Sequence, residues 1–142
     1  MTRVVVDTTV LYAAANRRAS RHETAFSIVR AADRGDLPEL LVPDPILVET
    51  LNGLTRDVGH ETATDFLSRL QQSSQFDLQR EPTTVWQTGL DLFRRVDRLS
   101  LADAIVVASV RHTGAAFVYS FDDDFDGFDG FDRLTTADDP FS

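Results

Sequence analysis

Apolar positions along this chain come as short unbroken runs and as stripes at helical spacing. Val4-Val5-Val6 is a β-branched run that stops at Asp7, the pattern of a strand buried on both faces. Thr8 to Ala15 reads as helix until Asn16-Arg17-Arg18 interrupts it, and a second helical segment, about 23–34, is stopped by Gly35. Leu40 to Val42 is short, apolar and strand-like. Asp44-Pro45 pairs a capping acid with proline at the first helical position, predicting a helix to about Arg56. Gly59-His60 separates it from another, about 61–71. Phe76 to Gln79 alternates apolar and polar as a half-buried strand does. Pro82 opens a helix to about Arg98, and Ser100 caps an apolar helix, Leu101 to His112, ended by Gly114. Ala116 to Tyr119 reads as a strand, 120–130 as an Asp/Gly loop, and Phe131 to Leu134 as a last short strand. This alternation, without repeats or linkers, predicts one α/β domain over 1–142, a mainly parallel central sheet flanked by helices.

Composition adds exclusions. At 142 residues there is room for one ordinary domain. The absence of cysteine removes disulfides, thiolate metal sites and thiol nucleophiles. No apolar run approaches a membrane span and no signal segment opens the chain, so a soluble cytoplasmic protein is expected. There are 23 acids against 14 bases, every base is arginine, and 18 of the acids are Asp. Residues 120–142 hold eight Asp and one base, Arg133, so that stretch carries −7 of the net −9. A lysine-free acidic surface suits a halophile's cytoplasm, and a GC-rich genome yields the same bias. Bulk charge does not announce a nucleic-acid binder, so a polyanionic substrate has to be met locally.

The chemistry is sought at strand ends, because open α/β sheets bind ligands beyond the carboxyl ends of their strands. Asp7 ends the first strand and Asp122 follows the fourth; an N-cap is the ordinary use of an Asp placed like Asp7. Asp103 lies in an otherwise uncharged helix, on the side of Val106, Val107 and Val110, where an ionised carboxylate needs compensation. Its bland reading is a capping box with Ser100. Glu49 points away from the apolar side formed by Ile46, Leu47, Val48, Leu51 and Leu54, and reads as a solvated glutamate unless its exposed side faces the cleft.

Asp122-x-Asp124-x-Asp126-Gly127 starts like a calcium-binding EF-hand loop, but Arg133 stands where the bidentate Glu belongs and a strand leads in. A phosphatase of the haloacid-dehalogenase type would want Asp at position 9, where Thr stands. Serine nucleophile elbows and glycine-rich phosphate loops are absent. Two carboxylates about 4 Å apart repel by roughly 4 kcal/mol at an effective dielectric of 20, so Asp7, Glu49, Asp103 and Asp122 need cations if they converge. Hard divalent ions are the natural partners, and a metal-dependent nuclease is the chemistry they support.

In chain order, Val-Val-Val-Asp7-Thr8-Thr9, Ile46-Leu-Val-Glu49, Leu99-Ser100-Leu-Ala-Asp103-Ala104 and Ser120-Phe-Asp122-x-Asp124-Phe125 resemble PIN-domain proteins, most of all VapC-type toxins of prokaryotic toxin–antitoxin pairs. The resemblance spans essentially the whole chain. It implies Mg²⁺ or Mn²⁺ and hydrolysis of single-stranded RNA to a 5′-phosphate and a 3′-hydroxyl. It carries over Asp7, Glu49, Asp103 and Asp122 as catalytic acids and metal ligands, Asp124 as an auxiliary acid, and Thr9 and Ser120 as supporting hydroxyls. A small antitoxin and a second copy of the chain are the implied partners, and RNA maturation or a vestigial association module are the alternatives.

The loop after Asp122 is more acidic than the pattern requires, leaving open whether Asp122 or Asp124 completes the site. Arg17, Arg18 and Arg21, and on a later helix Arg94, Arg95 and Arg98, are candidates for RNA or partner contact, each cluster also reading as solvated surface. Trp86 and Phe93 read as core or dimer packing rather than a base-stacking platform.

Overall fold

The computed structural model describes residues 3–142. Five strands, β1 (Arg3–Val6), β2 (Glu39–Pro43), β3 (Phe76–Gln79), β4 (Phe117–Tyr119) and β5 (Asp132–Leu134), form one sheet in the order β3-β2-β1-β4-β5. Every pairing is parallel. Six helices connect them: α1 (Thr8–Ala15), α2 (His22–Asp33), α3 (Asp44–Asp57), α4 (His60–Gln72), α5 (Thr83–Arg95) and α6 (Leu101–Thr113). The sheet is the α/β arrangement read from the sequence, with no antiparallel strand among the described residues.

Val4, Val5 and Val6 are fully buried, as a central strand covered on both faces requires. The chain leaves β1 toward β2 on one side, whereas β4 returns to pair with β1 on the other. The β1–β4 junction is therefore the point where strand order reverses, and the crevice at its carboxyl end is where such sheets place ligands. The twelve residues between β4 and β5, 120–131, are near the shortest link that can return a parallel strand, and they contain only one 3-10 turn, Asp123–Phe125. The acidic loop is thus a crossover.

Three local expectations are corrected. Helix α3 begins at Asp44 itself, so this acid sits in the first turn and makes no side-chain cap. The buried side of α3 is Ile46, Thr50, Gly53 and Leu54, a true helical repeat, and Val48 is 58% exposed. Helix α5 stops at Arg95 rather than Arg98. Val96 turns extended, which lets it and Leu99 reach the core and leaves Arg98 in the α5–α6 link.

Helix α6 is placed by close contact with α5. At Gly89 an added Cβ would lie 2.7 Å from Ile105 Cγ1 and 3.1 Å from Ile105 Cα. Glycine is the residue that lets these helices approach so closely, and the approach sets where Asp103 stands. No helix among the described residues is long and apolar enough to cross a membrane.

Candidate active site

Asp7 ends β1 and caps α1, so the cap and the strand-end acid are one residue. It is 1% exposed. Its Oδ2 accepts from Ser120 Oγ at 2.8 Å, Thr9 Oγ1 at 2.9 Å and Thr9 N at 3.4 Å. The Asp7 amide donates to Tyr119 O at 3.0 Å, extending the β1–β4 ladder to the acid itself. Burial pushes the Asp7 carboxyl above its ordinary range, and the donors on Oδ2 only partly offset this. Oδ1 receives none of these three bonds, and the Thr8 amide also favours the ionised carboxylate.

Ser120 and Thr9 tie two strand ends together. Ser120 Oγ also accepts from the Asp122 amide at 3.0 Å, and Thr9 Oγ1 accepts from the Phe121 amide at 2.9 Å. Both hydroxyls therefore orient Asp7 and fix the chain leading into Asp122.

Asp103 is half-buried in the first turn of α6, where its amide donates to Ser100 Oγ at 3.1 Å. The reciprocal half of a capping box, from the Ser100 amide to the Asp103 carboxyl, is not formed among the described residues. The Asp103 carboxyl is pushed up to about 7, by desolvation first and then by the negative fields of Asp7, Asp122 and Glu49. Asp122 is half-buried, and its Oδ1 accepts from the Asp124 amide at 2.9 Å. Glu49 is exposed, as its periodicity predicts, and its exposed side is the one close enough to raise Asp103. Asp7, Glu49, Asp103 and Asp122 come from four separate stretches of chain, and the first, second and fourth all act on Asp103. Asp124 is absent from the charges raising Asp103.

Among the described residues, Asp122, Asp123 and Asp124 have carboxylate oxygens within 4.8 Å of one another. Asp7, Glu49 and Asp103 do not join that group at so short a spacing. The donors on offer are all oxygens and there is no cysteine, the set that suits Mg²⁺ or Mn²⁺ rather than a thiolate-seeking ion. By the chemistry of that donor set, these residues fit a hard divalent ion.

The arginines divide. Arg17 and Arg18 line a groove of about 970 Å³ with Arg30 and Arg69, over Phe26, Phe66 and Leu70. The Arg21 guanidinium sits 4.9 Å from the ring centroid of Phe121, the residue before Asp122. Arg94 pairs with Asp91 at 3.5 Å on the exposed side of α5, where Arg95 is also exposed. Arg98 donates to the Asp124 and Asp126 carbonyls, and Arg133 forms a two-pronged pair with Asp126. Arg133 was not among the residues read as functional, although its place as the single base in an acidic stretch was a visible signal. Trp86 and Phe93 are not core: both are exposed on α5, with Leu90 between them.

A parallel sheet with acids gathered at its strand-order reversal defines a class, and the PIN domain family model matches residues 4–130. The chain belongs to the PIN-domain family. Among solved structures it is similar to VapC20 of Mycobacterium tuberculosis, described as a sarcin–ricin loop cleaving toxin. The two are 26% identical, with 88% of this chain and 95% of that one covered and a TM-score of 0.77. VapBC2 from Rickettsia felis, bound to a DNA fragment from its promoter, shares the fold at 10% identity. That match covers 93% of this chain and 97% of the other, with a TM-score of 0.69. A toxin–antitoxin complex from Klebsiella pneumoniae does so at 18% identity, over 96% and 98% of the two chains, with a TM-score of 0.65. A comparison with curated protein sequences finds no match.

Proposed function

We propose that this protein is a divalent-metal-dependent endoribonuclease that hydrolyses single-stranded RNA, and that it is the toxin of a toxin–antitoxin pair. The observation that carries this reading is the Asp103 carboxyl, raised to about 7 in a half-buried position by burial and by Asp7, Asp122 and Glu49. Such crowding is unfavourable for folding alone and useful where a cation is to be held. The similarity to VapC20, a toxin described as cleaving the sarcin–ricin loop, supports RNA as the substrate.

Asp7 and Asp103 are the direct ligands in this reading, with Glu49 and Asp122 completing the set and Asp124 auxiliary. Mg²⁺ or Mn²⁺ bound there supplies positive charge against the phosphodiester and makes a nearby water more acidic. The Ser120 and Thr9 hydroxyls hold Asp7 Oδ2, so its other oxygen keeps a fixed direction. Asp103, held near 7 and so partly protonated at neutral pH, would have to be ionised to serve as a ligand, which would couple metal binding to proton release. Arg21, beside Phe121 at the edge of the acid cluster, is placed to meet an RNA phosphate or base.

The partners follow from two surfaces. The groove over Phe26, Phe66 and Leu70, lined by four arginines and by Asp33, Asp57 and Asp65, suits an apolar segment of a small antitoxin with charged flanks. Trp86, Leu90 and Phe93, exposed along one side of α5, suit a second copy of the chain.

The test is cleavage of a single-stranded RNA oligonucleotide in Mn²⁺, in excess EDTA, and by Asp7→Asn and Asp103→Asn prepared identically. Cleavage that needs the metal and both acids is expected. Cleavage by both variants at the wild-type rate, with contaminating nuclease excluded, rejects the assignment.

A further inference from the structure

Five acids lie between Asp122 and Asp129 with no base among them, yet this crossover adopts a defined path between β4 and β5. Two arginines outside it supply the missing donors. Arg98, in the α5–α6 link, reaches the loop backbone through two nitrogens: Nε donates to Asp124 O at 3.3 Å and Nη2 to Asp126 O at 3.1 Å. Its guanidinium carbon lies 4.9 Å from the centroid of the Phe128 ring. Gly127 has φ +87°, and a Cβ there would stand 3.9 Å from Arg98 Nη2, so the turn at Gly127 passes directly beside the guanidinium.

Arg133, on β5, closes the loop from the other side. Its Nε and Nη2 donate to the two Asp126 carboxylate oxygens at 2.9 Å and 3.0 Å, and its Nη1 to Ser120 O at 3.3 Å. Ser120 is the residue whose hydroxyl joins Asp7 to the Asp122 amide.

The placement of Arg98 in the chain matters as much as its bonds. It stands two residues before Ser100, whose hydroxyl caps the helix carrying Asp103. One side chain therefore spans from the start of the Asp103 helix to the carbonyl of Asp124, whose amide is held by the Asp122 carboxylate.

We propose that Arg98, with Arg133 as its counterpart, is a positioning residue: it holds the 120–131 crossover so that the Asp122 carboxylate faces Asp103, and thereby sets the affinity of the acid site for a divalent cation. The inference rests on the metal-site reading above and assigns Arg98 to the loop backbone instead of to RNA. Two carbonyl acceptors and an aromatic face suit a guanidinium, with its planar fork of donors, better than an ammonium.

The experiment is titration of the purified full chain with Mn²⁺, followed by the electron paramagnetic resonance signal of free Mn²⁺. Wild type, Arg98→Gln, Arg98→Lys and Asp103→Asn are compared, with amide hydrogen exchange across 120–131 and a thermal midpoint for each. Arg98→Gln is expected to weaken Mn²⁺ binding roughly tenfold, the usual scale for losing support behind a ligand. Its faster exchange is confined to the loop, its midpoint stays near wild type, and Arg98→Lys recovers part of the affinity. If the glutamine variant does not fold, the lysine variant decides, and an affinity weaker than wild type is expected of it.

Wild-type affinity and wild-type loop exchange in Arg98→Gln overturn the proposal while leaving the metal site intact, provided Asp103→Asn loses binding. Weakened binding that accompanies a general loss of protection, with no recovery by lysine, also overturns it. Absence of saturable Mn²⁺ binding in the wild type overturns this inference and the proposed function together.

Discussion

Asp7 and Asp103 are both carboxyls raised above the ordinary range, and they are raised in different ways. Around Asp7 the cause is burial, partly offset by hydroxyl and amide donors built into the β1–β4 junction. Around Asp103 burial is joined by three like charges, with one serine hydroxyl opposing them. The Asp7 side is a preformed cradle in which Ser120 and Thr9 hold one carboxylate oxygen. The Asp103 side is a mouth left electrostatically open, which in the proposed reading a cation would close. Preorganised donors beside unrelieved repulsion are what the proposed metal site would need: a bound cation would relieve the repulsion that burial and like charges create.

The largest expected effect tests whether both halves serve one reaction. Asp7→Asn and Asp103→Asn should each lower RNA cleavage by at least about 10²–10³-fold, the scale on which removal of one preorganised electrostatic group acts. Initial rates at saturating Mn²⁺ measure it, and a loss confined to one variant would separate the halves.

Stability separates them further. Ser120→Ala removes a buried donor from Asp7 and should cost about 1–3 kcal/mol by denaturant unfolding. Asp103→Asn should instead stabilise the metal-free protein above neutral pH, because it removes a charge that Asp7, Asp122 and Glu49 repel.

The pH dependence gives the same contrast a sign. Asp103 binds its proton more tightly folded, at about 7, than unfolded, at 3.8. Its proton uptake therefore favours the native state at low pH, and this contribution is lost as pH rises from about 4 to 7. Metal-free wild type should lose stability over that interval more steeply than Asp103→Asn, in urea melts at matched ionic strength. The smallest effect is the control: Arg94→Gln, whose pair with Asp91 is exposed, should change stability by less than about 0.5 kcal/mol.

Much of this was legible before any coordinates. The strand at Val4–Val6 announces itself by β-branched residues ending in an acid, and Ser100 and Gly114 bracket α6 by ordinary capping chemistry. The acids of the candidate site were legible as types in order, but their mutual effect was not. Glu49 has the periodicity of a solvated residue, and only the packing of α3 brings its exposed side near Asp103. The sequence places Arg98 on the helix that Pro82 opens, because no proline or glycine stands between Leu90 and Ser100. The chain leaves that helix early, where Val96 turns to the core. Its contacts with Asp124 and Asp126 span more than 25 residues, beyond the reach of any local rule. Local chemistry predicts caps and strand ends, whereas long side chains reaching across loops depend on the finished fold.

The most direct test of the central claim is the thermal midpoint of wild type and Asp103→Asn as Mn²⁺ is raised at pH 8. Saturable stabilisation of the wild type, absent or strongly reduced in the variant, is the predicted result, since an ion that binds only the native state raises its stability by mass action. Equal curves for the two proteins, or no response in either, would contradict it.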